Sequence, residues 1–338
     1  MNSFARKRVL ITGATGLIGN GMVHHLMKFN NVHVIAVSRS ERKLQECFSM
    51  YQNNPNFSYV THDVSSPFSF IFYPIDFIFH AASPQENKII SETPLDVINA
   101  NLFGTINCLD FLRKQEIDQN VKGRLILFSS VTVYGNNTKK DLFVQEGDTA
   151  VTEIIESNGA PYSQSKRMSE VIVRAYAKQF GVDVVISRLS TVYGNTIIKT
   201  DTAFFEFIKN AVSGKNINLR STIFPRRDNI YLDDAISGLL TIALKGKGSE
   251  AYNISSNGDL GNFLAVDEIA RIIVDEANKR VGTTRAPINV IYGDCVLGKR
   301  KPGLILDNSK LKELGWILST SINDGIAKTF DSLNFRSV

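Results

Sequence analysis

Cysteine is scarce: three in 338 residues, Cys47, Cys108 and Cys295, with no C-x-x-C pair among them. That spacing indicates neither a zinc site nor a disulfide framework, and the thiols read as reduced cysteines of a cytoplasmic protein. The five histidines form no pair at metal-ligand spacing beside a carboxylate, so no metal is expected, and His24 and His25 read as structural. No apolar run approaches the roughly 20 residues of a membrane span. Val9-Leu10-Ile11 is too short for a signal core and runs directly into a glycine loop. Large charge excess is also lacking. Lys and Arg number 38 against 33 Asp and Glu, and the cations are scattered apart from Arg226-Arg227 and Lys299-Arg300-Lys301. Nucleic-acid surfaces concentrate cations in a stripe, so no nucleic-acid partner is expected; a mild basic excess suits phosphate-bearing ligands.

What is present is a regular alternation. Short apolar, β-branched runs at 8–11, 32–37, 57–60, 76–80, 124–129 and 184–188 read as strands. Amphipathic or polar stretches at 17–29, 41–51, 95–114 and 162–180 read as helices between them. Such β-α alternation predicts an α/β fold, a doubly wound parallel sheet with helices on both faces. From about Thr191 the segments shorten and mix, which predicts a smaller C-terminal α/β portion that binds substrate. The expected division is 1–190 for the sheet domain, with 228–247 returning to it, and 191–338 mainly for the second portion.

Gly13-Ala14-Thr15-Gly16-Leu17-Ile18-Gly19 lies between the first strand and the first helix. Glycines there permit a tight turn and close backbone approach to a pyrophosphate, and the helix N-terminus offers unpaired N–H groups and a positive dipole end. The loop predicts a Rossmann-type NAD(P) site in which Gly13, Thr15, Gly16, Leu17, Ile18 and Gly19 hold the cofactor. An acidic residue at the tip of the second strand would bind the ribose hydroxyls of NAD. This chain has Val37-Ser38-Arg39-Ser40 instead, so Ser38 and Arg39 favour NADP(H), with NAD(H) as the alternative.

Tyr162 and Lys166 are four apart and share a helix face. A phenol ionises near pH 10, and a neighbouring ammonium is expected to lower that value and make Tyr162 an acid/base.

The G-x-x-G-x-x-G spacing resembles the extended short-chain dehydrogenase/reductase family, in its NAD-dependent epimerase/dehydratase, nucleotide-sugar-modifying group. Further matches follow in order: Asp63-Val64, His80-Ala81-Ala82, Asn101-Leu-Phe-Gly104-Thr105, Ser129-Ser130-Val131-Thr132-Val133-Tyr134-Gly135, Tyr162 to Lys166, Arg188 to Gly194, Arg227 to Asp234, and Asp307 to Trp316. The resemblance covers nearly the whole chain. It implies that Asp63 and Val64 meet the adenine, that His80, Ala81, Ala82 and Asn101 lie against the cofactor, and that Lys166 reaches the nicotinamide ribose. It makes Ser130 the hydroxyl on the reacting oxygen, with Ser129 and Thr132 as alternatives. Ser129 reads better as a strand-end hydroxyl capping backbone. On the substrate side it places Ser83, Ser130, Thr132, Thr191 where Asn is usual, Arg227 at the diphosphate, and Arg300 or Lys301 as a second phosphate cation.

Dehydratases of this group carry an acidic residue where this chain has Val131-Thr132, so dehydration is disfavoured. The resemblance then implies a 4-keto(-6-deoxy) nucleotide-sugar reductase, or a 4-epimerase that retains its cofactor. Reduction of a non-sugar carbonyl is opposed by Arg227 and Ser309-Lys310, and a non-catalytic dinucleotide sensor by the presence of both Tyr162 and Lys166. The helix bearing Met168, Val171, Ile172 and Ala175 is expected to pair with its copy in a homodimer.

Overall fold

The structure is a computed structural model, and it describes the chain except residues 1–3, 30, 70–72, 136–139, 149–154, 195–201, 220, 222, 282–284, 294–298 and 334–338. Cys295 lies outside the described residues. The strands are β1 (Arg8–Thr12), β2 (His33–Ser38), β3 (Phe57–Thr61), β4 (Phe77–His80), β5 (Arg124–Ser130), β6 (Leu142–Val144), β7 (Asp183–Leu189), β8 (Thr191–Tyr193), β9 (Ile217–Leu219), β10 (Ile223–Tyr231), β11 (Ala251–Ile254), β12 (Phe263–Ala265), β13 (Val290–Tyr292), β14 (Lys299–Lys301) and β15 (Leu304–Leu306). The helices are α1 (Leu17–Leu26), α2 (Glu41–Phe48), α3 (Asn87–Glu92), α4 (Pro94–Gln119), α5 (Ala160–Phe180), α6 (Ala203–Val212), α7 (Leu232–Lys245), α8 (Val266–Val281), α9 (Ser309–Glu313) and α10 (Ile322–Ser332).

Seven parallel strands form the main sheet in the order β11-β7-β5-β4-β1-β2-β3. The α/β doubly wound expectation holds, and alternate residues of each strand explain it. Val9 and Ile11, Val34 and Ala36, Ile126 and Phe128 enter one core with α1 and α7. Leu10, Ile35 and Val37, Leu125 and Leu127 enter the other with α4 and α5. Strands buried on both faces must be apolar throughout, which is why these runs showed no polar alternation.

The seventh strand, β11, went unassigned in the sequence because it has only four residues, one of them Asn253. The helix expected at 95–114 continues to Gln119, where Asn120 closes it in a left-handed conformation (φ 55°). On α5, a proline in the first turn and Gly181 (φ 73°) after the last set the boundaries.

A third core gathers α6, α8 and α10 around β9 and β10 through Phe207, Ile208, Phe224, Ile269, Ile273, Ile326 and Phe330. β10 joins the two portions, because it runs on into α7. The C-terminal segment then folds back on α7. Trp316 Nε1 donates to Ser237 Oγ (2.8 Å) and to the Asp234 carbonyl (3.2 Å), and the Asp234 carboxylate accepts from the Ser319 and Thr320 backbone N–H groups. Among the described residues, no helix is long and apolar enough to cross a membrane.

Trp316 is only 4% exposed and seals the first core. Trp316→Ala is expected to cost about 3–5 kcal/mol, read as a fall in thermal midpoint; a midpoint within a degree of wild type would show that this clamp adds nothing.

Candidate functional site

Strand order reverses between β1 and β4: the chain winds outward through β2 and β3, then returns through β4, β5, β7 and β11. A crevice therefore opens at the carboxyl ends of β1 and β4, the place where doubly wound sheets bind ligands. Gly13 follows β1 with φ +63°, and a Cβ on it would lie 2.7 Å from the backbone N and Cα of Ala82, just beyond β4. Only glycine fits. The Gly16 N–H closes the turn onto the Gly13 carbonyl (2.9 Å), and Ala14 N–H bonds the Val37 carbonyl (3.1 Å). Helix α1 then starts with no side-chain cap and no acidic residue in its first turn. Its N–H groups and positive dipole end are left for an anion.

Around this loop the structure gathers the other cofactor candidates. The Thr15 and Ser38 hydroxyls bond at 2.8 Å, tying the loop to the tip of β2. Arg39 is exposed beside Asp63. Burial raises the Asp63 pKa, but the Ser65 N–H and hydroxyl, at 2.9 and 2.7 Å, with the charges of Arg39 and His62, bring it below the usual carboxylate range. Val64 is buried, and Gly104 of α4 brings the helix backbone onto Val64 and His80.

His80 Nδ1 shares a hydrogen with Thr12 Oγ1 (2.8 Å), which also accepts from Ala82 N–H (3.2 Å). Burial, helped by the Lys166 charge, pushes the imidazole down to about 3, so it is neutral at physiological pH. Asn101 Nδ2 donates to Ser165 Oγ (2.8 Å). Among the described residues, His80 Nε2 and Asn101 Oδ1 are buried without a hydrogen-bond partner. Unsatisfied buried polar atoms are costly. Beside a loop too tight for any side chain, they fit the polar edge of a dinucleotide.

At the end of β5, Ser130 Oγ accepts from Thr132 N–H (3.3 Å) and hydrogen-bonds the Tyr162 hydroxyl. Lys166 Nζ donates to the Phe128 carbonyl (2.6 Å) and lies 5.8 Å from the Tyr162 ring centroid. The expectation that Lys166 lowers the Tyr162 pKa is not met in the protein by itself. Burial pushes the phenol up to about 12, against the Ser130 hydrogen bond, and burial pushes Lys166 down to about 7, against the pull of Glu170. Desolvation disfavours both charged forms.

Ser129 does not cap backbone as expected. Its hydroxyl donates to the Glu170 carboxylate (2.6 Å), which also receives Arg188 Nε (2.9 Å), Arg188 Nη2 (2.8 Å) and Arg174 Nη1 (3.0 Å). Arg188 donates onward to the Tyr134 hydroxyl (2.9 Å), which donates to Asn253 Oδ1 (2.8 Å). The arginine that opens the Arg188-to-Gly194 motif thus braces the sheet. Glu170 and Asn253 escaped the sequence reading, although Glu170 continues the four-residue spacing of Tyr162 and Lys166.

Of the residues expected on the substrate side, Ser83 Oγ and Thr132 Oγ1 are buried and unpartnered among the described residues. Thr191 lies in β8 opposite Asn229 of β10. The Arg227 side chain is exposed by area, and among the described residues its guanidinium has no protein partner; neighbouring protein mass still desolvates it enough to lower its pKa. Its neighbour Asp228 is buried, accepts from the Ser256 and Leu306 N–H groups, and is pushed up to about 6 by burial. Arg300 is less free. It pairs with Glu268 (2.9 Å) and lines, with Lys140, Asp141, Arg226 and Lys301, a basic depression of about 450 Å³.

A family model described as the NAD dependent epimerase/dehydratase family matches residues 9–255. UDP-glucuronic acid decarboxylase 6 of Arabidopsis thaliana is 25% identical over 334 residues, 97% of this chain and 89% of the relative. The dTDP-glucose 4,6-dehydratase of Escherichia coli is 28% identical over 342 residues, 95% of this chain and 92% of that protein. The fold is shared with UDP-glucuronic acid 4-epimerase from Bacillus cereus, solved with UDP-glucuronic acid and NAD (TM-score 0.76, 22% identity, 97% of this chain and 99% of the other). It is shared too with dTDP-glucose 4,6-dehydratase from Bacillus anthracis, solved with NAD (TM-score 0.76, 20% identity, 97% and 96%). With its glycine cradle at the winding reversal and its Tyr-x-x-x-Lys helix beside it, the chain belongs to the NAD-dependent epimerase/dehydratase family of extended short-chain dehydrogenase/reductase enzymes.

Proposed function

We propose that this enzyme transfers hydride at C4 of a nucleotide-diphosphate sugar, working as a 4-keto(-6-deoxy) nucleotide-sugar reductase. The observation that carries the reading is the Ser130–Tyr162–Lys166 group at the crevice, followed by Val131 and Thr132 rather than by a carboxylate. When bound, the nicotinamide supplies the hydride. The residues that would hold the dinucleotide are Gly13, Thr15, Gly16, Leu17, Ile18 and Gly19 at the pyrophosphate, Asp63 and Val64 at the adenine, and His80, Ala81, Ala82, Asn101 and Lys166 along the nicotinamide half.

Tyr162 holds its proton at neutral pH, as an ordinary phenol does, and burial pushes its pKa further up, to about 12. It is therefore ready to give that proton to the C4 oxygen as the carbonyl is reduced, while the Ser130 hydroxyl hydrogen-bonds the same oxygen. Lys166, beside the ring, favours the phenolate that remains. Arg227, without a partner among the described residues, suits two oxygens of the substrate diphosphate. Ser83, Thr132 and Thr191 face the sugar in this reading, and Arg300 or Lys301 adds the second phosphate cation. At the tip of β2, Ser38 and Arg39 offer hydroxyl and charge to a 2′-phosphate, which supports NADP(H).

A second reading, C4 epimerisation with retained cofactor, draws support from the solved epimerases that share the fold, several of them holding NAD. The two readings separate in one assay. With a 4-keto-6-deoxy nucleotide sugar, NADPH should be consumed in proportion to substrate, and Tyr162→Phe should lower kcat by about 10²–10⁴-fold while cofactor still binds. Epimers interconverting with no net NADPH loss would sink the reductase reading, and a fully active Tyr162→Phe would sink both.

The proposed assembly is a homodimer through α4 and α5. Met168 is 49% and Val171 59% exposed, and Phe103 of α4 is also exposed; an apolar helix face of this kind suits a second copy. Val171→Asp should convert a dimer to a folded monomer in light scattering; a wild-type monomer at micromolar concentration overturns the proposal.

A further inference from the structure

Three successive residues of β5 each bond one stripe of α5. The Phe128 carbonyl receives Lys166 Nζ (2.6 Å), the Ser129 hydroxyl donates to Glu170 (2.6 Å), and the Ser130 side chain bonds the Tyr162 hydroxyl. Residues 162, 166 and 170 are spaced by four, so they line one face of the helix. The proposed catalytic residues form the first two rungs, and Glu170 forms the third. Glu170 is buried, and its carboxylate also bridges strands: Ser129 and Arg188 are direct partners in the parallel β5–β7 register, and Glu170 bonds both.

From this zipper we propose that Glu170 is a positioning residue, whose carboxylate sets the register of α5 on β5 and keeps Lys166 charged beside Tyr162. The inference rests on the reading of Tyr162 and Lys166 given above. Two features separate Glu170 from a merely structural ion pair. First, its strand contact lies between the two that place Lys166 and Tyr162. A slip of α5 that broke one rung would move all three, and a misplacement of about 1 Å at a reacting centre can cost on the order of 10²-fold in rate. Second, Glu170 supplies the negative charge that raises the Lys166 pKa against burial.

The charged and titratable groups around it are few. On α5 they are Arg174, which pairs with Glu170, and Lys166. From β7 comes Arg188, with Tyr134 behind it. From β4, neutral His80 faces Lys166. Arg188 and Arg174 neutralise part of the Glu170 charge, and Lys166 experiences the remainder. Lys166 must be protonated to favour the phenolate. Its contribution is therefore present below its pKa, near 7, and is lost as pH rises through that value. Removing the Glu170 charge moves this loss to lower pH.

The test follows the ε-carbon resonance of labelled lysine in the full-length protein, with Lys166→Met to assign the signal. Glu170→Gln, of nearly equal shape, should move the Lys166 midpoint below the wild-type value, and the high-pH limb of kcat for the reduction should move the same way. Glu170→Asp keeps the charge but draws it back from Ser129. It should return the midpoint toward wild type and still lose about tenfold in kcat through slackened positioning. A Glu170→Gln protein that melts earlier yet keeps the wild-type Lys166 midpoint overturns the charge role. Should that variant not fold, Ser129→Ala removes the same rung from the strand side and should lower kcat about tenfold with the midpoint unchanged; undiminished kcat overturns the register role. A wild-type protein that reduces no nucleotide sugar, yet shows the lysine shift on Glu170→Gln, would refute the proposed function and uphold the role of Glu170.

Discussion

The winding reversal between β1 and β4 is the constraint on which the rest of this structure depends. Adjacent parallel strands whose connections leave in opposite directions cannot cover their shared carboxyl end, so a crevice must open there. What can occupy it is decided by backbone. Gly13 and Ala82 approach so closely that any Cβ at position 13 would strike the Ala82 main chain. The turn that avoids this contact delivers α1 to the same spot with its first N–H groups uncapped. Sheet topology, glycine placement and helix dipole thus converge on the same end of β1.

A second constraint is electrostatic, and it lies on α5. The helix carries Lys166 and Glu170 into protein where charges are costly. Glu170 stays ionised because three donor groups satisfy it and Arg188 meets it with two nitrogens, so its pKa falls despite burial. Lys166 has one carbonyl and a distant share of the Glu170 charge, and its pKa falls toward neutrality. The same desolvation acts on both groups. The difference is the number of partners, and it leaves a strongly held anion supporting a weakly held cation beside the phenol.

The C-terminal portion is attached by continuity as much as by packing. β10 pairs with β8, β12 and β14, then passes into α7, which packs on the main sheet. Buried Asp228, bonded to the Ser256 and Leu306 backbone, anchors the strand directly beside Arg227. The Arg227 guanidinium, unpaired among the described residues, is therefore presented from a strand that both portions of the molecule hold in place.

Much of this was legible in the residues alone. Strands buried on both faces write themselves as apolar runs, glycine marks a turn that excludes Cβ, and a four-residue spacing puts Tyr162 and Lys166 on one helix face; these are local rules and need no partner from elsewhere in the chain. The remainder depended on which distant segments meet. β11 is a strand because β7 has a free edge beside it, not because Ala251–Ile254 demands one. Ser129 bonds Glu170 because α5 lies across β5 in one register. The ionisation of Tyr162, Lys166 and His80 was decided by burial, which outweighed the pairwise charge effect that spacing suggested. Sequence determined most elements of the main sheet, the cradle and the identity of the chemical groups. Tertiary structure decided their protonation and their partners, because desolvation and long-range hydrogen bonds exist only once the sheet and helices have closed around them.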